Sequence, residues 1–372
     1  MSLMGFEIKC LKCGHSSSNS LLPMCPLCGG PLDVTINVDF ETEKIRTKEM
    51  TVWRYACFFP YVRDSEILTL GEGCTPLVKS SNSVYFKLDN LNPTGSFKDR
   101  GSAVLLSALQ SSLKEVGGCI SEDSSGNAGA SMAAYAARAG LSARIYVPED
   151  ASGPKLNQIR FYGAEVVKVS GSRSKVAEEA QKAEEGKSYV GHILHPMFRD
   201  GIRSLAYEIA ERFDWNVPEH LFLPVSAGTS LLGVLSGFKH LVDSNIIDDM
   251  PRVVACQTHQ VSPLYHRFKN LSYYSPEKVT SIADALVSVN PPLLDLMVSR
   301  LKEAKGDTAI VEENEVYDAF IELARKGFFV EPSSAVAYAA YNKQLENKEV
   351  SRNDQTVIVL TGAGLKTTLT SC

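Results

Sequence analysis

From about residue 84 onward, short β-branched runs alternate with longer segments of helical period. The runs that predict strands are Val84–Leu88, Arg144–Val147, Glu165–Val169, Leu221–Val225, Arg252–Gln257, Ala309–Val311 and Thr356–Leu360. Helical spacing covers Asp99–Leu113, Asn127–Arg138, Lys175–Glu185, Ile202–Arg212, Leu231–Leu241, Val316–Lys326 and Ser334–Gln344. In the first of these, Val104, Leu105, Ala108 and Leu109 recur on one face and form a single buried stripe. Strands alternating with helices of about 10–15 residues predict βαβ units, hence mainly parallel sheets flanked by helices. There are too many such units for one sheet, so the pattern predicts two α/β domains. The larger takes residues 41–95 and 205–372 and the smaller takes 96–204. Residues 1–40, rich in Cys, Gly and Ser, form a separate small module.

Composition narrows the class. Of 372 residues, 44% are apolar and 22% charged, which excludes wholesale disorder. No stretch approaches the ~18 consecutive apolar residues of a membrane span. The N-terminus shows no basic region followed by an apolar block, so a cytoplasmic protein is expected. With 38 Lys+Arg against 43 Asp+Glu, the net charge of -5 argues against nucleic acid as a partner.

Four of the nine cysteines fall in the first 28 residues, as Cys10-x2-Cys13-x11-Cys25-x2-Cys28, and each pair is followed by glycine. Glycine lets the backbone turn tightly enough for both sulfurs of a pair to face one ion. Four thiolates at this spacing suit a closed, tetrahedral zinc site, giving a zinc-ribbon-like module. Four protein ligands leave no open position, so the expected role is structural rather than catalytic.

Three further segments carry candidate chemistry. Asn92–Gly101 reads Asn-Pro-Thr-Gly-Ser-Phe-Lys-Asp-Arg-Gly, a turn in which Ser96 is expected to cap a helix opening at Phe97. Lys98 then falls in the first turn, where a cation opposes the helix dipole. It is either a solvated surface lysine or an amine primed for Schiff-base chemistry. Ser124–Ala130 and Val225–Ser230 each follow a strand and open a helix. Such turns serve as anion cradles, or carry glycine for geometry alone. Neither matches a P-loop, and the chain has no dinucleotide fingerprint. At the end of the last strand, Thr361 points a hydroxyl into the crevice where open α/β sheets bind ligands.

Taken in order, several segments resemble the fold type II pyridoxal-phosphate enzymes, tryptophan synthase β-like in fold, and most closely the threonine synthase family. The matching segments are Gly71–Leu77, Asn92–Gly101, Ser124–Asn127, 226–233, Ser281–Asp284, Asn290–Pro292, Glu331–Ala335 and Thr361–Lys366. Archaeal-type members also carry a cysteine-knuckle N-terminus. The resemblance implies pyridoxal 5'-phosphate as cofactor, with Lys98 as Schiff-base lysine and Asn127 on the cofactor's ring oxygen. It places Ser226, Ala227, Gly228, Thr229 and Ser230 around the cofactor phosphate and Thr361 at the pyridine nitrogen. Ser124, Ser125 and Ala128 would lie near the substrate carboxylate.

The implied reaction is that of a lyase, γ-elimination and β-hydration of O-phospho-L-homoserine to L-threonine and phosphate, in a homodimer. Lys155 and Arg160 lie where the family binds the substrate phosphate, with Arg160 favoured, and both also read as solvated helix residues. The family's Ser-x-Asn-Pro segment is replaced by Ile193-Leu194-His195-Pro196, leaving His195 as a candidate phosphate donor. Ala363 and Thr367 stand where a His and an Asp are usual. These departures keep open a cysteate synthase-like replacement enzyme or a threonine/serine dehydratase. A zinc-bearing adaptor on a retired enzyme scaffold would have lost Lys98 or gained a basic patch, and this chain did neither.

Overall fold

A computed structural model describes residues 5–367 apart from Asn82 and Ala183. The chain opens with an antiparallel pair, β1 (Phe6–Cys10) and β2 (Leu32–Ile36), then forms β3 (Leu77–Lys79) and β4 (Val84–Lys87). Next come α1 (Lys98–Glu115), β5 (Cys119–Glu122), α2 (Asn127–Ala139), β6 (Ser142–Pro148), α3 (Pro154–Phe161) and β7 (Glu165–Val169). They are followed by α4 (Arg173–Gln181), β8 (Lys187–Tyr189), α5 (Pro196–Gly201), α6 (Ser204–Arg212), β9 (His220–Pro224) and α7 (Thr229–Asp243). The chain closes with β10 (Arg252–Thr258), α8 (Pro263–Phe268), α9 (Leu294–Glu303), β11 (Asp307–Val311), α10 (Glu313–Arg325), α11 (Pro332–Glu346) and β12 (Thr356–Val359).

Two compact units result. One gathers the residues up to Cys74 with Asn92–Ser204, the other Thr75–Leu91 with Leu205–Lys366. The first is built on a four-stranded parallel sheet in the order β7-β6-β5-β8. Its helices bury Val104, Leu105, Leu109, Met132 and Ile159, while Ala108 of the expected stripe is half-buried and Phe161 at the end of α3 is exposed. The second unit holds a six-stranded sheet, β11-β10-β9-β12-β4-β3, parallel except for the β3–β4 edge pair. Its strands are buried almost throughout, as expected of a sheet covered on both faces. A buried ion pair, Lys87 Nζ to Glu208 Oε2 at 2.6 Å, ties β4 to α6, and the same ammonium donates to the Thr75 carbonyl at 2.6 Å.

Each strand and helix expected from periodicity is present, with ends shifted by a few residues. The domain boundaries differ from those expected. Residues 41–74 belong with the first unit because Val52, Trp53, Tyr55, Phe58 and Phe59 are buried there. Trp53 Nε1 donates to Leu68 O at 2.9 Å, and Leu68 N donates to Ser107 Oγ on α1 at 2.8 Å. The cysteine module likewise joins the first unit rather than standing apart. Buried Arg199 on α5 donates through Nη2 to Leu32 O at 2.5 Å and lies 3.5 Å from Asp33.

Candidate active site

In the first unit, the chemistry gathers at loops that follow the C-terminal ends of strands. Lys98 is the first residue of α1, and the helix opens one residue later than expected. Phe97 takes the cap position with helical φ/ψ and no side-chain cap, so Ser96 is not the N-cap. Instead Asp99, fully buried, accepts from Thr94 N at 2.7 Å and from Thr94 Oγ1 at 2.6 Å, pinning the turn to the helix. Ser96 Oγ is buried and has no hydrogen-bond partner among the described residues. Burial lowers the Lys98 amine from 10.5 to about 8, and the charge of Glu122 offsets part of that shift. The ammonium lies 4.6 Å from the ring centroid of Phe97 and 5.8 Å from that of Phe198.

The Ser124–Asn127 turn joins β5 to α2. Ser124 and Ser125 are half-buried, Asn127 and Ala128 buried, and Gly126 N donates to Ser124 Oγ at 3.2 Å. No side-chain hydrogen bond caps the start of α2, an N-terminus of the kind that receives anions. Lys155, near the start of α3, is buried, whereas Arg160 in the last turn is exposed. Gln158, one turn from Lys155, donates to Thr94 O at 3.1 Å and so links α3 to the lysine turn.

His195 departs from its expected role. It is fully buried as the N-cap of α5, with Nδ1 accepting from Met197 N at 3.3 Å and Nε2 on Ser20 O at 3.1 Å. Burial lowers its pKa to about 3, so it is neutral with both ring nitrogens in use, and it has nothing to give a phosphate. Sequence reasoning passed over Glu122 and His192. Buried Glu122 accepts from His192 N at 2.8 Å and pairs with His192 Nδ1 at 2.7 Å. The available signal was an acidic pair, Glu122–Asp123, directly before a glycine turn.

In the second unit, Gly228 (φ +95°) ends the turn after β9 and opens α7, again without a side-chain cap. Ala227, Thr229 and Ser230 are buried there and Ser226 is half-buried, so small residues surround uncapped amides. Thr361 follows β12 and is held by Ser334 of α11. Ser334 Oγ accepts from Thr361 N at 3.1 Å and from Gly362 N at 2.8 Å, and lies 3.0 Å from Thr361 Oγ1. Ser334 was read as part of a matching segment but not as a site residue.

The four N-terminal sulfurs converge, all within 4.8 Å of one another. Cys10 and Cys28 Sγ are 3.5 Å apart, Cys13 and Cys25 Sγ 3.7 Å. Tetrahedral zinc with Zn–S near ~2.3 Å needs sulfurs ~3.8 Å apart, so the set fits zinc. The amides of Lys12 and Cys13 point at Cys10 Sγ, 3.4 and 3.5 Å away.

The first unit holds a desolvated lysine and an uncapped helix N-terminus. The second, taken by itself, holds another uncapped N-terminus and a hydroxyl just after a central strand. These are the groups an α/β enzyme uses for an anionic, carbonyl-bearing ligand. The chain belongs to the pyridoxal-phosphate-dependent enzyme family, whose model matches residues 68–362. Pyridoxal phosphate is the cofactor expected of that family, and the groups present suit its chemistry: the first unit offers a buried amine lowered to about 8, and the second, by itself, a glycine-opened helix N-terminus of the kind that binds phosphate. Similar proteins include the threonine synthase of Methanocaldococcus jannaschii, 33% identical over 96% of this chain and 92% of that one. That of Methanosarcina acetivorans is 30% identical over 97% and 92%. Among solved structures, the processed threonine deaminase isoform 2 of Solanum lycopersicum matches with a TM-score of 0.69 at 18% identity, over 88% of this chain and 86% of that one. That likeness concerns the fold alone.

Proposed function

We propose that this chain is a threonine synthase, converting O-phospho-L-homoserine and water to L-threonine and phosphate. The observation that carries the reading is the similarity to two threonine synthases over 96–97% of this chain, at 30–33% identity. By the family resemblance, Lys98 would hold the cofactor through Nζ, Asn127 would meet its ring oxygen, the Ser226–Ser230 turn would take its phosphate and Thr361 its ring nitrogen. Bound pyridoxal phosphate supplies an electron sink for charge developing on substrate carbon. The protein does the rest. Ser124, Ser125 and the amides at the start of α2 orient the substrate carboxylate, and Lys155 its phosphate. Lys98 would take the α and β protons and return them to carbon. The module of Cys10, Cys13, Cys25 and Cys28 holds zinc structurally. The active form is a homodimer in the cytoplasm, and light scattering at micromolar concentration tests the stoichiometry.

The test is to incubate cofactor-loaded protein with O-phosphohomoserine and follow phosphate and threonine together. Equal release of both is expected, and Lys98→Ala is expected to abolish turnover and the visible absorption of lysine-bound cofactor. One observation favours a second reading: Arg160 is exposed and His195 is engaged, so Lys155 alone remains of the cations expected at the phosphate. Turnover of serine or threonine to ammonia, with none of phosphohomoserine, would move the chain to a dehydratase, and use of another phosphorylated amino acid to a cysteate synthase-like enzyme.

A further inference from the structure

The proton count of the proposed reaction leaves one carrier unnamed. O-phosphohomoserine and threonine have the same number of carbon-bound hydrogens, so every proton that Lys98 takes from carbon returns to carbon. Water sheds one more proton as its oxygen joins Cβ, and the departing phosphate gains one. We infer that His192, oriented by Glu122, carries that proton; the inference rests on the threonine synthase reading.

Glu122 is the last residue of β5 and is fully buried. Its carboxylate holds the histidine at two points, the backbone N–H at 2.8 Å and the ring Nδ1 at 2.7 Å. A carboxylate can only accept, so Nδ1 carries the proton and Nε2 of the neutral ring keeps its lone pair. His192 is 7% exposed, and among the described residues Nε2 has no hydrogen-bond partner. The pair sits beside the candidate chemistry. Glu122 stands two residues before Ser124, where the substrate turn begins. The Phe198 ring lies 5.7 Å from the His192 ring and 5.8 Å from Lys98 Nζ, centroid distances in each case, so one aromatic side chain touches both groups. His195, three residues on, offers neither nitrogen.

The step balances. As the water oxygen bonds to Cβ of the unsaturated substrate, the π pair shifts toward the α-carbon. One O–H bond of the water breaks and its proton passes to Nε2. The imidazolium rests against Glu122, then gives the Nε2 proton to the phosphate oxygen that left with the Cγ–O electron pair, and the ring is neutral again. A carboxylate that fixes the tautomer and faces the resulting cation is the arrangement that makes an imidazole an effective base.

The experiment compares cofactor-loaded wild type with His192→Ala, His192→Asn and Glu122→Gln on O-phosphohomoserine, measuring phosphate, threonine and 2-oxobutanoate. Wild type is expected to give one threonine per phosphate. In His192→Ala, threonine formation should fall on the order of 100-fold or more. Phosphate release should fall less, because the unhydrated product leaves and hydrolyses to 2-oxobutanoate and ammonia. Added imidazole should restore part of the threonine rate, which a packing defect would not allow. Glu122→Gln should lose about tenfold with the same shift in products. His192→Asn keeps much of the volume, and its melting temperature and cofactor absorption separate folding from proton transfer. Threonine rates within about twofold of wild type in both His192 variants overturn the inference and leave phosphate to collect the proton itself. A wild type that releases no phosphate overturns the substrate reading first, and this carrier with it.

Discussion

The two small-residue turns, 124–130 in the first unit and 226–230 in the second, look interchangeable in sequence but are held in unlike ways. In the first, glycine is required by backbone meeting backbone. A Cβ at Gly129 would lie 1.9 Å from the Ser124 carbonyl oxygen, an atom that moves only if the turn itself moves. In the second, Gly228 is needed for its φ of +95° and for room beside a thioether, with a Cβ there 2.3 Å from Met297 Sδ on α9. One turn is closed on itself and the other is shaped by a flexible neighbour. The turn assigned to the substrate therefore has no slack, while the turn assigned to the cofactor phosphate can be repaired from outside.

That contrast can be broken by substitution. Gly129→Ala is expected to be the most damaging change, costing ~3 kcal/mol or more and removing activity, as read by urea unfolding and turnover. Asp99→Ala strands the Thr94 amide and hydroxyl and should cost ~2–3 kcal/mol, lowering kcat more than the melting temperature would suggest because Lys98 loses its anchored turn. Gly228→Ala should cost ~1–2 kcal/mol, combining strain at positive φ with the clash at Met297. Adding Met297→Ala should return affinity for pyridoxal phosphate toward wild type, and no second change in a flexible side chain should rescue Gly129→Ala. The smallest effect at neutral pH belongs to His195. Its pKa is about 3 when folded against 6.5 ordinarily, so between those values the unfolded chain binds the proton and the folded chain does not. Stability from this site is complete above pH ~6.5 and is lost as pH falls toward 3. His195→Asn should flatten that acid limb of the urea midpoint against pH.

Much of the scaffold was legible. Strands such as Arg252–Thr258 and helices such as Glu313–Arg325 carry a clear period and bury the faces that period predicts. Leu77–Lys79 and Lys187–Tyr189, at three residues each, are too short to show one. In the candidate site, residue types at turns were readable from sequence, but partners across the chain were not. His195 is committed by the Ser20 carbonyl 175 positions away, and Thr361 is steadied by Ser334 27 positions back. Nothing local to Ile193–Pro196 tells a histidine whose nitrogens are both spoken for from His192, which keeps one. Residues 41–74 show the same limit: Phe58 packs on Phe40, and Leu68 N reaches Ser107 Oγ on α1, neither of which local sequence announces.

The dry setting of Lys98 also has a consequence for how the enzyme is made. An amine that titrates at about 8 instead of 10.5 is uncharged in roughly one molecule in ten at pH 7, about 300 times the share of an ordinary lysine. Only that uncharged form attacks an aldehyde. A newly folded chain therefore carries a standing fraction of amine ready to bond the cofactor's aldehyde, and loading should quicken as pH rises toward 8.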